Sequence, residues 1–148
     1  MKSASGVKEL KKVSFCIFIL LIFKPIELEL NVLNKPLESC CTEPATGYFR
    51  DGFCRTISHD VGTHTVCAVV TQDFLNYSAS KGNDLMTPIP YWNFPGLQAG
   101  DQWCLCISRW LQAEKAGKAP FIRLEATHIK SLQYTSLEVL QKYAFIKK

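Results

Sequence analysis

His64-Thr-Val-Cys-Ala-Val-Val-Thr71 runs directly into Gln72-Asp-Phe-Leu-Asn-Tyr-Ser-Ala-Ser-Lys81 and then Gly82. The first stretch is dense in β-branched residues and reads as a buried strand. Thr71 is placed to cap a helix over 72–81, and Gly82 supplies the left-handed residue that ends it. The same alternation recurs downstream. Gln102 to Ile107 (QWCLCI) predicts a second strand, and Ser108 caps a short helix that ends near Gly117. Pro120 to Thr127 (PFIRLEAT) predicts a third strand, with Phe121, Arg123 and Glu125 on one face and Ile122, Leu124 and Ala126 on the other. Thr135-Ser-Leu-Glu138 is a capping box for a last helix, whose inward stripe is Leu137, Leu140 and Tyr143 or Ala144. Between the first two units lie Pro88, Pro90, Pro95, Gly96 and Gly100, so 83–101 is expected to be a long ordered loop. Strand and helix alternating in this way predict an α+β fold with a small mixed sheet of at least three strands and about three helices.

A chain of 148 residues has room for one core. Its 47% hydrophobic, 11% aromatic and 20% charged content is that of a globular chain. The net charge of +4 is spread thinly: residues 1–30 hold five Lys and three acids, which leaves +2 on the remainder. No nucleic-acid partner is expected from that balance. Lys2, Lys8, Lys11 and Lys12 precede the apolar run Phe15–Phe23, which Lys24-Pro25 breaks. A basic start before a short apolar run has the outline of a secretory signal, but no pair of small residues follows to form a cleavage site. Nine residues span only about 14 Å as a helix, so no stable membrane span is expected. Residues 1–30 are therefore read as an N-terminal extension, a targeting segment or an appended start, ahead of one domain at 31–148. The incomplete signal favours a cytoplasmic location with reduced thiols, secretion or membrane association being the alternative.

Seven cysteines, Cys16, Cys40, Cys41, Cys54, Cys67, Cys104 and Cys106, carry the sharpest chemical signal. In a strand, Cys104 and Cys106 emerge on one face, a spacing that suits a soft metal such as zinc or a thiol redox pair. His64 and Cys67 lie close in sequence, and His128 follows the third strand, so Cys67, Cys104, Cys106, His64 and His128 form the candidate metal or thiol site. Against it, buried cysteines act as small hydrophobes, and no C-x-x-C knuckle occurs. A cysteine beside a histidine and an acid can also be a nucleophile. Glu125-Ala-Thr-His128 offers one such carboxylate and imidazole, and Asp60 and Asp101 are further acids beside glycines. A different kind of site would use loops: the turn at 46–52 and the 83–101 loop, with Arg50, Asp51, Asn83, Asp84 and Trp92 as candidate ligand-binding residues of a non-enzymatic module for a small molecule or peptide. Tyr91, Trp92 and Phe94 are expected to plug the core beneath that loop. Phosphate-binding glycine loops, G-x-S-x-G and H-E-x-x-H are missing, which removes nucleotide enzymes, serine hydrolases and zincin proteases from consideration.

Several strings together resemble a known family. Asn31-Val-Leu, Pro36-Leu-Glu-Ser-Cys40, Thr46-Gly-Tyr-Phe-Arg-Asp-Gly52, His64-Thr-Val-Cys-Ala68, Gly82-Asn-Asp-Leu85, Phe94-Pro-Gly-Leu97, Gly100-Asp-Gln-Trp-Cys-Leu-Cys106, Arg109-Trp110 and Leu124-Glu-Ala-Thr-His128 occur in order. They are similar to domain-of-unknown-function family 2237, small and mostly bacterial proteins without an assigned activity. The resemblance covers nearly all of 31–148 and implies one small intracellular domain. It places cysteines at 40, 54, 67, 104 and 106, and none at 16 or 41. Ile129-Lys130 stand where the family pattern has an acidic residue.

Overall fold

The computed structural model describes residues 28–146, so the apolar run at 15–23 lies outside the described residues. A three-stranded antiparallel sheet is built from β1 (Val66–Val69), β2 (Gln102–Leu105) and β3 (Phe121–Ile122), in the order β2-β1-β3. Three α-helices accompany it: α1 (Gln72–Ser80), α2 (Ile107–Lys115) and α3 (Leu137–Gln141). The α+β class read from the sequence holds. The sheet pairs antiparallel throughout, and among the described residues a parallel contact occurs only as an isolated bridge between Ile122 and Ala144.

All four residues of β1 are buried because strands flank it on both edges. Its two faces serve different cores. Val66 and Ala68, with Trp103 and Leu105 of β2 and Ile122 of β3, meet Phe74 and Leu75 of α1 and Ile107, Trp110 and Ala113 of α2. Each of these large side chains contributes about 1.5–3 kcal/mol by leaving water. The fully buried Trp110 donates its indole N–H to the Pro120 carbonyl at 3.3 Å, which removes the cost of burying that polar atom. On the opposite face Cys67 and Cys104 sit directly across the ladder and share a second small core with Cys40, Cys54 and Ala126.

Local chemistry sets the helix starts. The Thr71 hydroxyl accepts from the Phe74 N–H at 3.1 Å, as the sequence predicts. The last helix is capped by Ser136, accepting from the Val139 N–H, one residue later than the box suggests.

Two differences matter for the site. The second strand stops at Leu105, because Cys106 turns to become the N-cap of α2, and the Ile107 N–H bonds the Thr63 carbonyl at 3.1 Å. The third strand is only two residues long: once the Arg123 N–H bonds the Cys67 carbonyl, the chain rolls into a 3₁₀ turn at Leu124–Ala126 that buries Ala126 against the cystines.

The 83–101 loop is ordered as expected, with a 3₁₀ turn at Pro90–Trp92. Its aromatics behave differently from expectation. Phe94 packs on Trp103 with ring centroids 5.1 Å apart, whereas Tyr91 and Trp92 are exposed. The turn at Pro90–Trp92 lifts those two rings away from the core, and it ends in the left-handed Asn93. Among the described residues, no helix is long and apolar enough to cross a membrane.

Candidate functional site

Four cysteines are consumed by two disulfides, Cys40–Cys67 and Cys54–Cys104. The expectation of reduced thiols is corrected here. Strand pairing sets Cys67 and Cys104 side by side, and the 40–54 segment folds over that face, so each strand sulfur meets a partner from the loop. Cys41 and Cys106 are free.

The sulfurs of Cys40, Cys54 and Cys104 lie within 4.8 Å of one another, and they are the only such metal-ligating group among the described residues. All three are spent in S–S bonds, and a disulfide sulfur offers no thiolate to an ion. The five residues singled out for a metal or thiol site are thus distributed over different tasks. Cys67 and Cys104 are cross-linked. His128 is buried, with Nε2 2.6 Å from Glu29 Oε2 and Nδ1 accepting from the Lys130 N–H, which caps the 3₁₀ turn Ile129–Gln133. Of the five, only His64 and Cys106 meet with the thiol left free.

That pair forms the site. Cys106 Sγ lies 3.1 Å from His64 Nε2. The other ring nitrogen, Nδ1, lies 2.6 Å from Asp60 Oδ1. Asp60 is buried and doubly fixed: its Oδ2 accepts from the His64 backbone N–H at 2.8 Å and from the Thr56 hydroxyl at 3.0 Å. Cysteine, imidazole and carboxylate therefore stand in one hydrogen-bonded line, the arrangement that activates a thiol nucleophile.

The backbone explains how these residues meet. Asp60, Thr63 and Thr65 each bond a carbonyl two or three residues back, folding 57–65 into successive tight turns. This coil reverses the chain so that Asp60 faces His64 four residues on. Gly62 closes the approach. A Cβ there would stand 2.6 Å from His64 Cε1 and 2.7 Å from Cys106 Sγ, so only a residue without a side chain lets the backbone pass behind the pair.

Charge reinforces the geometry. The hydrogen bond to Cys106, aided by the Cys106 charge and by Asp60 and opposed by burial, pushes His64 up to about 9. Burial raises the Asp60 carboxyl, but the hydrogen bonds from the His64 backbone and ring and from Thr56 outweigh it and hold Asp60 below its ordinary value. The site thus favours an imidazolium between two acceptors. Cys106 is also the N-cap residue of the nine-residue helix α2, so the start of that helix fixes its position.

A cleft of about 170 Å³ reaches this line at His64, and Gly47, Tyr48, Arg50, Trp103 and Cys104 form the rest of its wall. It is smaller than the roughly 300–1,000 Å³ typical of pockets for drug-sized ligands. The turn at 46–52 is held against β2 by the Thr46 hydroxyl, which accepts from the buried Cys104 N–H at 2.8 Å. Of the candidate loop residues, Arg50 alone lines the cleft. Asp51 pairs with Arg55, Asn83 donates to the Ser78 hydroxyl at 3.0 Å, and Asp84 accepts from Met86, Thr87 and the Thr87 hydroxyl. Trp92 is exposed, and no residue of 83–101 lines the cleft.

The sequence offers Asp60 as one of several acids for a cysteine–histidine nucleophile, and the structure pairs it with His64. Its signal is local: Asp60-x-Gly62-x-His64 puts a carboxylate four residues before an imidazole, with a glycine between to permit the tight return. No curated protein matches the chain. The sequence model of the uncharacterised proteins conserved in bacteria, DUF2237, matches residues 30–144, and the chain belongs to that family.

Proposed function

We propose that the protein uses Cys106 as a nucleophile in an acyl-transfer reaction on a small activated carbonyl compound, with His64 as acid and base and Asp60 as the group that orients and steadies His64. The observation that carries this reading is the continuous line from Asp60 Oδ1 through His64 to Cys106 Sγ. The thiolate sulfur attacks the carbonyl carbon, and the carbonyl electron pair moves to oxygen. As that pair returns, the leaving group departs with the proton from His64 Nε2. Neutral His64 then takes a proton from water, whose oxygen attacks the thioester, and the sulfur leaves as thiolate while a carboxylic acid is released. The two buried cystines support a working environment that is not reducing, and among the described residues Cys106 has no sulfur partner.

The test is acylation by p-nitrophenyl acetate. The expected result is a burst of nitrophenol with acetyl found on Cys106 by peptide mass spectrometry. Cys106→Ser and His64→Gln should lose the burst while keeping native circular dichroism. An unmodified Cys106 in the unaltered protein, or an undiminished burst in His64→Gln, would sink the proposal.

A further inference from the structure

Arg50 lies in the wall of the cleft that reaches His64, and it has no acidic partner among the described residues. Its guanidinium rests over the Trp103 ring at 5.0 Å from the centroid, and one nitrogen donates to the Ala45 carbonyl at 3.3 Å. Five N–H donors on a planar fork leave most of its capacity unspent after that single long bond. Its backbone is also unusual, with φ at +55°. A residue with a Cβ occupies that left-handed region at a cost of about 1–2 kcal/mol, and such strain gathers where a side chain must be aimed. The strand beneath holds the aim: Trp103 belongs to β2, and the Thr46 bond to Cys104 ties the turn to the same strand.

We infer that Arg50 is the substrate-recognising residue of the cleft and that it takes a carboxylate on a small substrate, placing the electrophilic carbon toward His64 and Cys106. This rests on the reading of Cys106 as the nucleophile. The planar fork of arginine matches a carboxylate with two parallel hydrogen bonds, and the Trp103 face beneath it fixes the plane. The cleft volume of about 170 Å³ restricts the substrate to a compact molecule. Imidazolium at His64 adds a second positive charge to the same wall, so an anionic substrate enters a cleft that is cationic on two sides.

The experiment compares alkylation of the full chain by iodoacetate, a compact carboxylate, and by iodoacetamide, its neutral amide. In both, the sulfur displaces iodide and forms one C–S bond. Rates at Cys106 are followed by peptide mass spectrometry, with the free thiol of Cys41 as an internal reference in the same molecules. The expected result is that Cys106 favours iodoacetate over iodoacetamide by about ten-fold more than Cys41 does, the size of one charge-assisted contact. Arg50→Asn, a residue that accepts positive φ, should remove that preference, and Arg50→Lys should keep part of it. A Cys106 that reacts faster than Cys41 yet shows no preference overturns the carboxylate assignment and leaves the nucleophile standing. A preference that survives in Arg50→Asn also overturns it, since His64 would then be the attracting charge. If Cys106 is no faster than Cys41 with either reagent, the nucleophile reading falls and this inference falls with it.

Discussion

Replacing Cys106 by Ala should lower the proton affinity of His64, which is a physical consequence of the line of hydrogen bonds whatever the substrate. The rise from 6.5 to about 9 is worth a few hundred-fold in proton affinity, or about 3 kcal/mol between the two protonation states. The leading cause is the bond to Cys106, with Asp60 behind it and burial working against both. Removing the sulfur takes away the larger support and leaves the smaller, so His64 should return most of the way toward 6.5 and stop above it. The assay is a titration of the imidazole Cε1 proton by NMR from about pH 5 to about pH 11, in the unaltered protein and in Cys106→Ala. Three histidines give three resonances, assigned by His59→Gln and His64→Gln. A His64 that titrates near 6.5 in the unaltered chain, or one that is indifferent to loss of Cys106, refutes the coupling and the chemistry built on it.

Gly62→Ala tests the close packing: the added methyl must push His64 and Cys106 apart, so alkylation of Cys106 should slow at least as much as in His64→Gln while global unfolding in urea shifts by only about 1 kcal/mol. Asp60→Asn should cost about 1.5–3 kcal/mol at neutral pH, since a buried carboxylate with three hydrogen bonds loses its charge. The native carboxyl sits below its unfolded value of 3.8, so its contribution is present above about pH 4 and is lost as pH falls through the lower native value. Urea midpoints of the two proteins should therefore converge under acid conditions, and a constant gap would contradict the direction of the shift.

The strands and helices were legible because their signals are local. A β-branched run, a Thr cap and a terminal Gly specify β1 and α1 without help from the rest of the chain. Alternation puts Cys104 and Cys106 on one face only if the strand continues through both. The bond from Ile107 to Thr63, forty-four residues away, ends it two residues early and turns Cys106 toward His64. The cystines were hidden for a related reason: each joins a sheet residue to the 40–54 loop, and only strand register brings those partners together. His128 looked like a functional imidazole because it stands at a strand end. Its partner Glu29 is 99 residues away, which no spacing rule reveals. Arg50 was visible as a charged turn residue, and its neighbour Asp51 was equally visible. What separates them is that Arg55 neutralises Asp51, whereas Arg50 has an aromatic ring beneath it and no acidic partner among the described residues.

The two cystines are interleaved: Cys54 lies within the span 40–67, and Cys67 lies within the span 54–104. Asp60, Gly62 and His64 all fall in the short arc between Cys54 and Cys67, whose longest exposed run is Ile57-Ser58-His59. If that arc is nicked, the upstream piece keeps Cys40 and Cys54 while the downstream piece keeps Cys67 and Cys104. Two covalent bonds then still join the halves across the break. Such a molecule would migrate as two fragments only after reduction, and before that it would hold both ends of the cut arc on the same sheet face. The segment bearing the acid and the imidazole can thus lose its continuity without leaving the thiol it serves.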